Sequence, residues 1–103
     1  MAMIVVMNVV HVTDGRHAEF EAAFRRRERH LHEQEGFAGF ELLRRDESDE
    51  YAVVTRWESH AAFETWVGSD AFFASHAERD HTLTERVEMR TYEVVPVDDE
   101  VAA

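Results

Sequence analysis

The segment Met3-Ile4-Val5-Val6-Met7-Asn8-Val9-Val10-His11-Val12 decides the fold. Successive side chains of a strand point to opposite faces. Met3, Val5, Met7 and Val9 therefore share one face, and Ile4, Val6, Val10 and Val12 share the other. Both faces are apolar, the pattern of a central strand covered on two sides. Asn8 interrupts the second face between Val6 and Val10. A buried carboxamide without a partner costs on the order of 1–3 kcal/mol, so this one needs protein, water or a ligand. A structural asparagine bonded to a neighbouring loop is one reading. A donor aimed into a cavity is the other.

Outward from that strand, Asp14-Gly15 breaks the pattern. Residues 16–35 then carry a helical stripe through Phe20, Ala23, Phe24 and Leu31, and Gly36 is placed to stop it. Residues 37–43 and 51–57 read as two strands joined by an acidic hairpin loop over 44–50. Ser59 is placed to cap a short helix holding Phe63 and Trp66. Gly68 interrupts, and Ser69 or Asp70 caps a second piece with Phe72, Phe73 and His76. Residues 87–97 alternate again before Pro96 and an acidic tail close the chain.

The order β-α-β-β-α-β, with its second helix in two pieces, predicts an α+β, ferredoxin-like domain over residues 1–97. The tail over 98–103 is expected to be disordered. Helices in this arrangement cover one sheet face. The other, also apolar in the first strand, predicts a homodimer with sheets facing inward, a dimeric α+β barrel.

Composition narrows the function. Twenty-two acids oppose eleven bases, all arginine, for a net charge of −11. Nucleic-acid binding needs a basic footprint and is excluded by this balance. The same acidity fits a soluble acidic protein of a GC-rich genome or a salt-adapted, halophilic one; the second is favoured, since charge repulsion is screened within about 3 Å at 1 M salt. With no cysteine, disulfides, thiolate metal sites and a thiol nucleophile are excluded. No apolar run has the length of a membrane span and no leader precedes Met3, so a cytoplasmic protein with no membrane partner is expected.

Three further residues join Asn8 as candidates. His76 shares a face with Phe72 and Phe73; a satisfied boundary histidine is the ordinary role, a lone axial ligand to a macrocycle the chemical one. Trp66 follows Phe63 by three positions, which is core spacing. Arg27 falls by helical angle on the stripe of Phe24 and Leu31, where it needs either a glutamate partner or an anionic ligand.

Those residues carry a resemblance. The stretches Met3 to Asn8, Gly36-Phe37-Ala38-Gly39-Phe40-Glu41-Leu42-Leu43, Thr55-Arg56-Trp57-Glu58-Ser59, Phe63-Glu64-Thr65-Trp66 and Ser69-Asp70-Ala71-Phe72-Phe73-Ala74-Ser75-His76 resemble the IsdG-type haem-degrading monooxygenases. That group lies within the antibiotic biosynthesis monooxygenase (ABM) superfamily. The trio of Asn8, Trp66 and His76 discriminates it; the other stretches are shared more widely. The resemblance implies a haem oxygenase that binds haem as both cofactor and substrate, opens the porphyrin with O2 and releases iron. His76 would be the axial ligand to haem iron, Asn8 a hydrogen-bond donor on the opposite side, and Trp66 the residue that ruffles the ring. Phe24 and Arg27 would line the haem-binding pocket. Electrons would come from a separate reductase, since the chain has no GxGxxG motif for a nicotinamide or flavin nucleotide. Two alternatives use the same cavity: a cofactor-free monooxygenase acting on an aromatic polycyclic substrate, and a non-catalytic haem-binding protein.

Overall fold

The computed structural model describes residues 2–70, 72 and 82–97, with only the backbone of residues 27–30 and 86. The elements run β1 (Ile4–Val12), α1 (His17–His32), β2 (Phe37–Arg44), β3 (Glu50–Trp57), α2 (His60–Val67) and β4 (Thr84–Glu93). The strands form one sheet in the order β2-β3-β1-β4, every neighbouring pair antiparallel. The doubly apolar β1 is thus an inner strand, and the α+β ferredoxin-like expectation is met.

Both helices lie on one face of the sheet. Val10, Val12, Tyr51 and Leu83 pack with Phe20 of α1 in one buried cluster. Ile4, Val6 and Trp57 pack with Trp66 of α2 in a second, against which Leu31 of α1 and Phe63 of α2 also rest. The β1 members of both clusters are its even-numbered residues, hence a single face. Asn8 is the even-numbered residue between them. The core is divided there, with α1 reaching both parts. Each fully buried Val, Ile or Phe contributes roughly 1.5–3 kcal/mol, so each part has the substance of a small core.

Two aromatic residues anchor the ends of β3. Trp57 is wholly buried and donates its indole N–H to Thr55 Oγ1 at 3.0 Å. Tyr51, 1% exposed, donates its hydroxyl to Glu21 Oε2 on α1 at 2.6 Å. Each ring therefore buries its body and satisfies its polar tip.

Local chemistry sets the boundaries. No side chain caps α1; its first turn is held by Arg16, which pairs with Glu19 at 2.6 Å and donates to Thr82 Oγ1 at 2.8 Å. The helix ends at His32, short of the expected residue 35, because Gln34 N–H turns back to Leu31 O and Phe37 N–H to Gln34 O. Gly36 then reverses the chain at φ +82, and a Cβ there would lie 2.5 Å from Ala62 Cβ of α2. Ser59 Oγ caps α2 by accepting from Ala62 N–H at 3.1 Å. After Gly68, Ser69 Oγ accepts from Phe72 N–H at 3.1 Å and donates to Trp66 O at 2.7 Å. Ser69 therefore holds the turn that follows α2, as the expected cap at Ser69 or Asp70 requires; the expected second piece beyond Phe72 lies outside the described residues.

The last strand differs from the expected 87–97. It begins at Thr84 because the β1–β4 register slips between Val9 and Val10, leaving Val87 as an extra residue. Such a bulge resets the alternation that a sequence pattern follows. It ends at Glu93 because Ile4, its partner, is where β1 starts; one more bond, Val94 N–H to Met3 O at 2.8 Å, closes the ladder. The other face of the sheet carries Val5, Met7 and Val9 of β1 beside Ala52 and the buried Val54 of β3 and the exposed Leu43 of β2. Pairs Arg56–Glu41 (3.0 Å) and Arg90–Glu88 (2.7 Å) flank them.

Candidate active site

The floor of the site is a row across the sheet, Leu42–Val53–Asn8–Met89, given by the register of four strands. Directly paired residues of antiparallel strands point to the same side, here the side of the helices. Leu42 and Val53 are partly buried against the Phe20 cluster. Asn8 Oδ1 is buried and, among the described residues, has no hydrogen-bond partner. The backbone ladder fixes β1 and so holds Asn8 at this point of the row. It is a polar group held ready in an apolar seam, and a ligand lying over the row is what would complete it.

Trp66 borders the seam on one side. It is 8% exposed, stacks on Trp57 with ring centroids 6.2 Å apart, and meets Phe72 edge-on at 5.4 Å. Its cluster ends at Val6, the next residue to Asn8 along that face of β1. Core packing and proximity to the seam therefore hold together for Trp66. Phe24 is also buried, but its ring leans toward β2, 5.2 Å from Phe40 and 6.3 Å from Phe20. There it lines a groove of about 440 Å³ with Glu21, Arg25, Phe40, Arg44 and Tyr51, on the β2 side of α1. Asn8 and Trp66 do not line that groove. His76 and the side chain of Arg27 lie outside the described residues.

Two polar groupings were not read from the sequence. In the first, Tyr51, Glu21 and Arg44 converge: the Arg44 guanidinium lies 5.6 Å over the Tyr51 ring. Burial, then the hydrogen bond and charge of Glu21, push the Tyr51 phenol above its ordinary pKa. The inward phase of Tyr51 in β3 was a usable signal, since a buried phenol requires a partner. In the second, Asp14, His17 and Asp49 bring ligand atoms within 4.8 Å of one another. His17 Nε2 lies 2.9 Å from Asp49 Oδ1, while its Nδ1 is buried without a partner among the described residues. A cation on Nε2 would force the ring proton onto that enclosed Nδ1, and the His17–Asp49 pair ties α1 to the β2–β3 loop.

The family model for antibiotic biosynthesis monooxygenase matches residues 3–78. The chain belongs to the antibiotic biosynthesis monooxygenase family. Within it, the chain is similar to the IsdG-type haem-degrading members. A heme oxygenase (mycobilin-producing) from Mycobacterium tuberculosis is 34% identical over 93 residues, covering 89% of each chain. The structure of the heme-degrader MhuD from Mycobacterium tuberculosis, with two hemes bound in its active site, matches with a TM-score of 0.77. Its identity is 31%, over 92% of this chain and 98% of that one. SnoaB, a cofactor-independent oxygenase from Streptomyces nogalater, matches with a TM-score of 0.80 at 24% identity, over 94% and 97% of the two chains. The last is a likeness of fold.

Proposed function

We propose that this ABM protein is a haem-degrading monooxygenase that takes haem as cofactor and substrate in the seam between sheet and helices, opens the ring and releases iron. The observation that carries the reading is Asn8, whose side-chain Oδ1 is buried in an apolar floor with no hydrogen-bond partner among the described residues. A cofactor-free oxidation of an aromatic substrate would use the same floor, but the 34% identity to a heme oxygenase over 89% of the chain favours haem.

Haem supplies the iron at which O2 is activated and the carbon that is attacked. The protein supplies position and polarity. His76 would hold the haem iron, and Asn8 would offer a hydrogen bond to the ligand from the sheet floor. Trp66, flanked by Trp57 and Phe72, would press on the macrocycle. Arg27 is assigned to an anionic edge of the ligand, and Phe24 to the pocket wall. An external reductant, delivered by a separate donor, supplies the electrons.

The sheet face away from the helices, with Val5, Met7, Val9 and Leu43, supports a homodimer; equilibrium sedimentation giving only monomer at micromolar concentration would remove that part of the reading. No helix among the described residues is long and apolar enough to cross a membrane. A cytoplasmic location is part of the same proposal.

The test is a pair of spectra. Hemin added to the protein should give a saturable Soret band, and a reductant added under air should bleach it with formation of an open-chain chromophore. A protein that binds hemin but leaves it intact is a carrier. One that does not bind hemin is left with the cofactor-free reading.

A further inference from the structure

Met89 is the β4 member of the row that contains Asn8. Paired residues on one face of an antiparallel ladder have Cβ atoms about 4.5–5.5 Å apart, so its thioether stands beside the Asn8 carboxamide. The two neighbours of Asn8 in that row are treated differently. Val53, on β3, is partly buried against the core, whereas Met89 is 50% exposed. Further along the same face of β4, Thr91 pairs with Val6 and Glu93 with Ile4, so Met89 is the large apolar side chain of that stretch. A lone exposed methionine is ordinary on a protein surface. One placed next to a polar atom with no hydrogen-bond partner among the described residues is not, because half of Met89 is open beside a group that still needs a partner.

We infer that Met89 is a ligand-contacting residue of the Asn8 site, its thioether forming the β4 part of the floor on which a flat aromatic ligand rests. The inference rests on the haem reading above and adds a contact to it. The chemistry suits the place. Methionine is unbranched and polarizable, and its sulfur packs favourably on aromatic rings at about 5 Å. It can follow a ring that is not planar, which a β-branched residue cannot do.

Oxidative footprinting tests this on the intact chain, with gallium protoporphyrin IX as a redox-inert probe. In dilute hydrogen peroxide each accessible thioether takes one oxygen atom, becoming a sulfoxide and releasing water. Met3, 37% exposed, and Met89, 50% exposed, should both react in the free protein. Bound porphyrin should slow Met89 at least about threefold and leave Met3 unchanged. Met89→Ala should weaken porphyrin binding about three- to tenfold, with Met89→Leu restoring most of it and circular dichroism unchanged in both. Saturable binding with no protection of Met89, or equal protection of Met3, would overturn the inference while leaving the haem reading in place. Absence of any porphyrin binding would overturn both.

Discussion

Replacing Asn8 with leucine should make the ligand-free protein more stable while destroying its proposed activity. The two side chains are close in size, and the change removes the one buried Oδ1 on the β1 floor that has no partner among the described residues. An unsatisfied buried polar atom costs about 1–3 kcal/mol, and the new isobutyl group would instead join Val6 and Val10 into one apolar face. We therefore expect a gain of about 1–3 kcal/mol. In a domain of this size each kcal/mol raises Tm by about 4–8 °C. Urea denaturation of the ligand-free protein, followed by circular dichroism, measures it directly: the midpoint should move up with the slope unchanged. Asn8→Asp, which buries a charge at the same point, should move it down. A midpoint for Asn8→Leu equal to or below that of the parent would refute the reasoning, because the carboxamide would then have to be satisfied in the absence of ligand.

Gly36→Ala should cost about 2–4 kcal/mol, from the left-handed backbone at φ +82 together with overpacking against Ala62; Gly15→Ala, at φ +81 in open space, should cost only the backbone share, and thermal melts of the two compare them. Tyr51→Phe should lose about 1.5 kcal/mol at neutral pH with the Glu21 hydrogen bond. Because the folded phenol has a raised pKa, the wild-type contribution is complete below pH 10 and is lost as pH climbs through the higher folded value. Melts from about pH 8 to about pH 11.5 should therefore bring the two proteins closer together; a gap that widens with pH would contradict the assignment. His76→Ala should abolish the histidine–haem spectrum in a hemin titration, and an unchanged spectrum with continued degradation would dissolve the assigned site.

Much of this was legible in the residues, for reasons that can be named. The central position of β1 follows from its two apolar faces, and the breaks at Gly36 and Gly68 from turn and cap chemistry. Ser59 and Ser69 are found as caps because a hydroxyl three residues before an N–H is a local arrangement. The start of β4 was hidden because the bulge at Val87 changes the phase of alternation, and its end because the apolar residues Val95 and Val97 continue past Val94, whose bond to Met3 closes the ladder. At the site, Asn8 was visible as a polar residue in an apolar row, but not that its Oδ1 is left without a partner. Tyr51 and Glu21, 30 residues apart, meet through the packing of α1 on β3, and so do His17 and Asp49 through the hairpin. Met89 was invisible as anything but an alternating apolar residue until register set it opposite Asn8.

The division of the buried core at Asn8 has a consequence for how such a protein diversifies. Substitutions that tune robustness can accumulate around Phe20 and Tyr51 in one half, or around Trp57 in the other, and reach the seam only through Val53, Leu42 and Trp66 at its borders. Substitutions at Asn8, Val53 and Met89 can change what the seam accepts while the ladders keep their register. Endurance and chemistry are thus written at different addresses in the same small sheet, and selection can revise one while leaving the other as it stands.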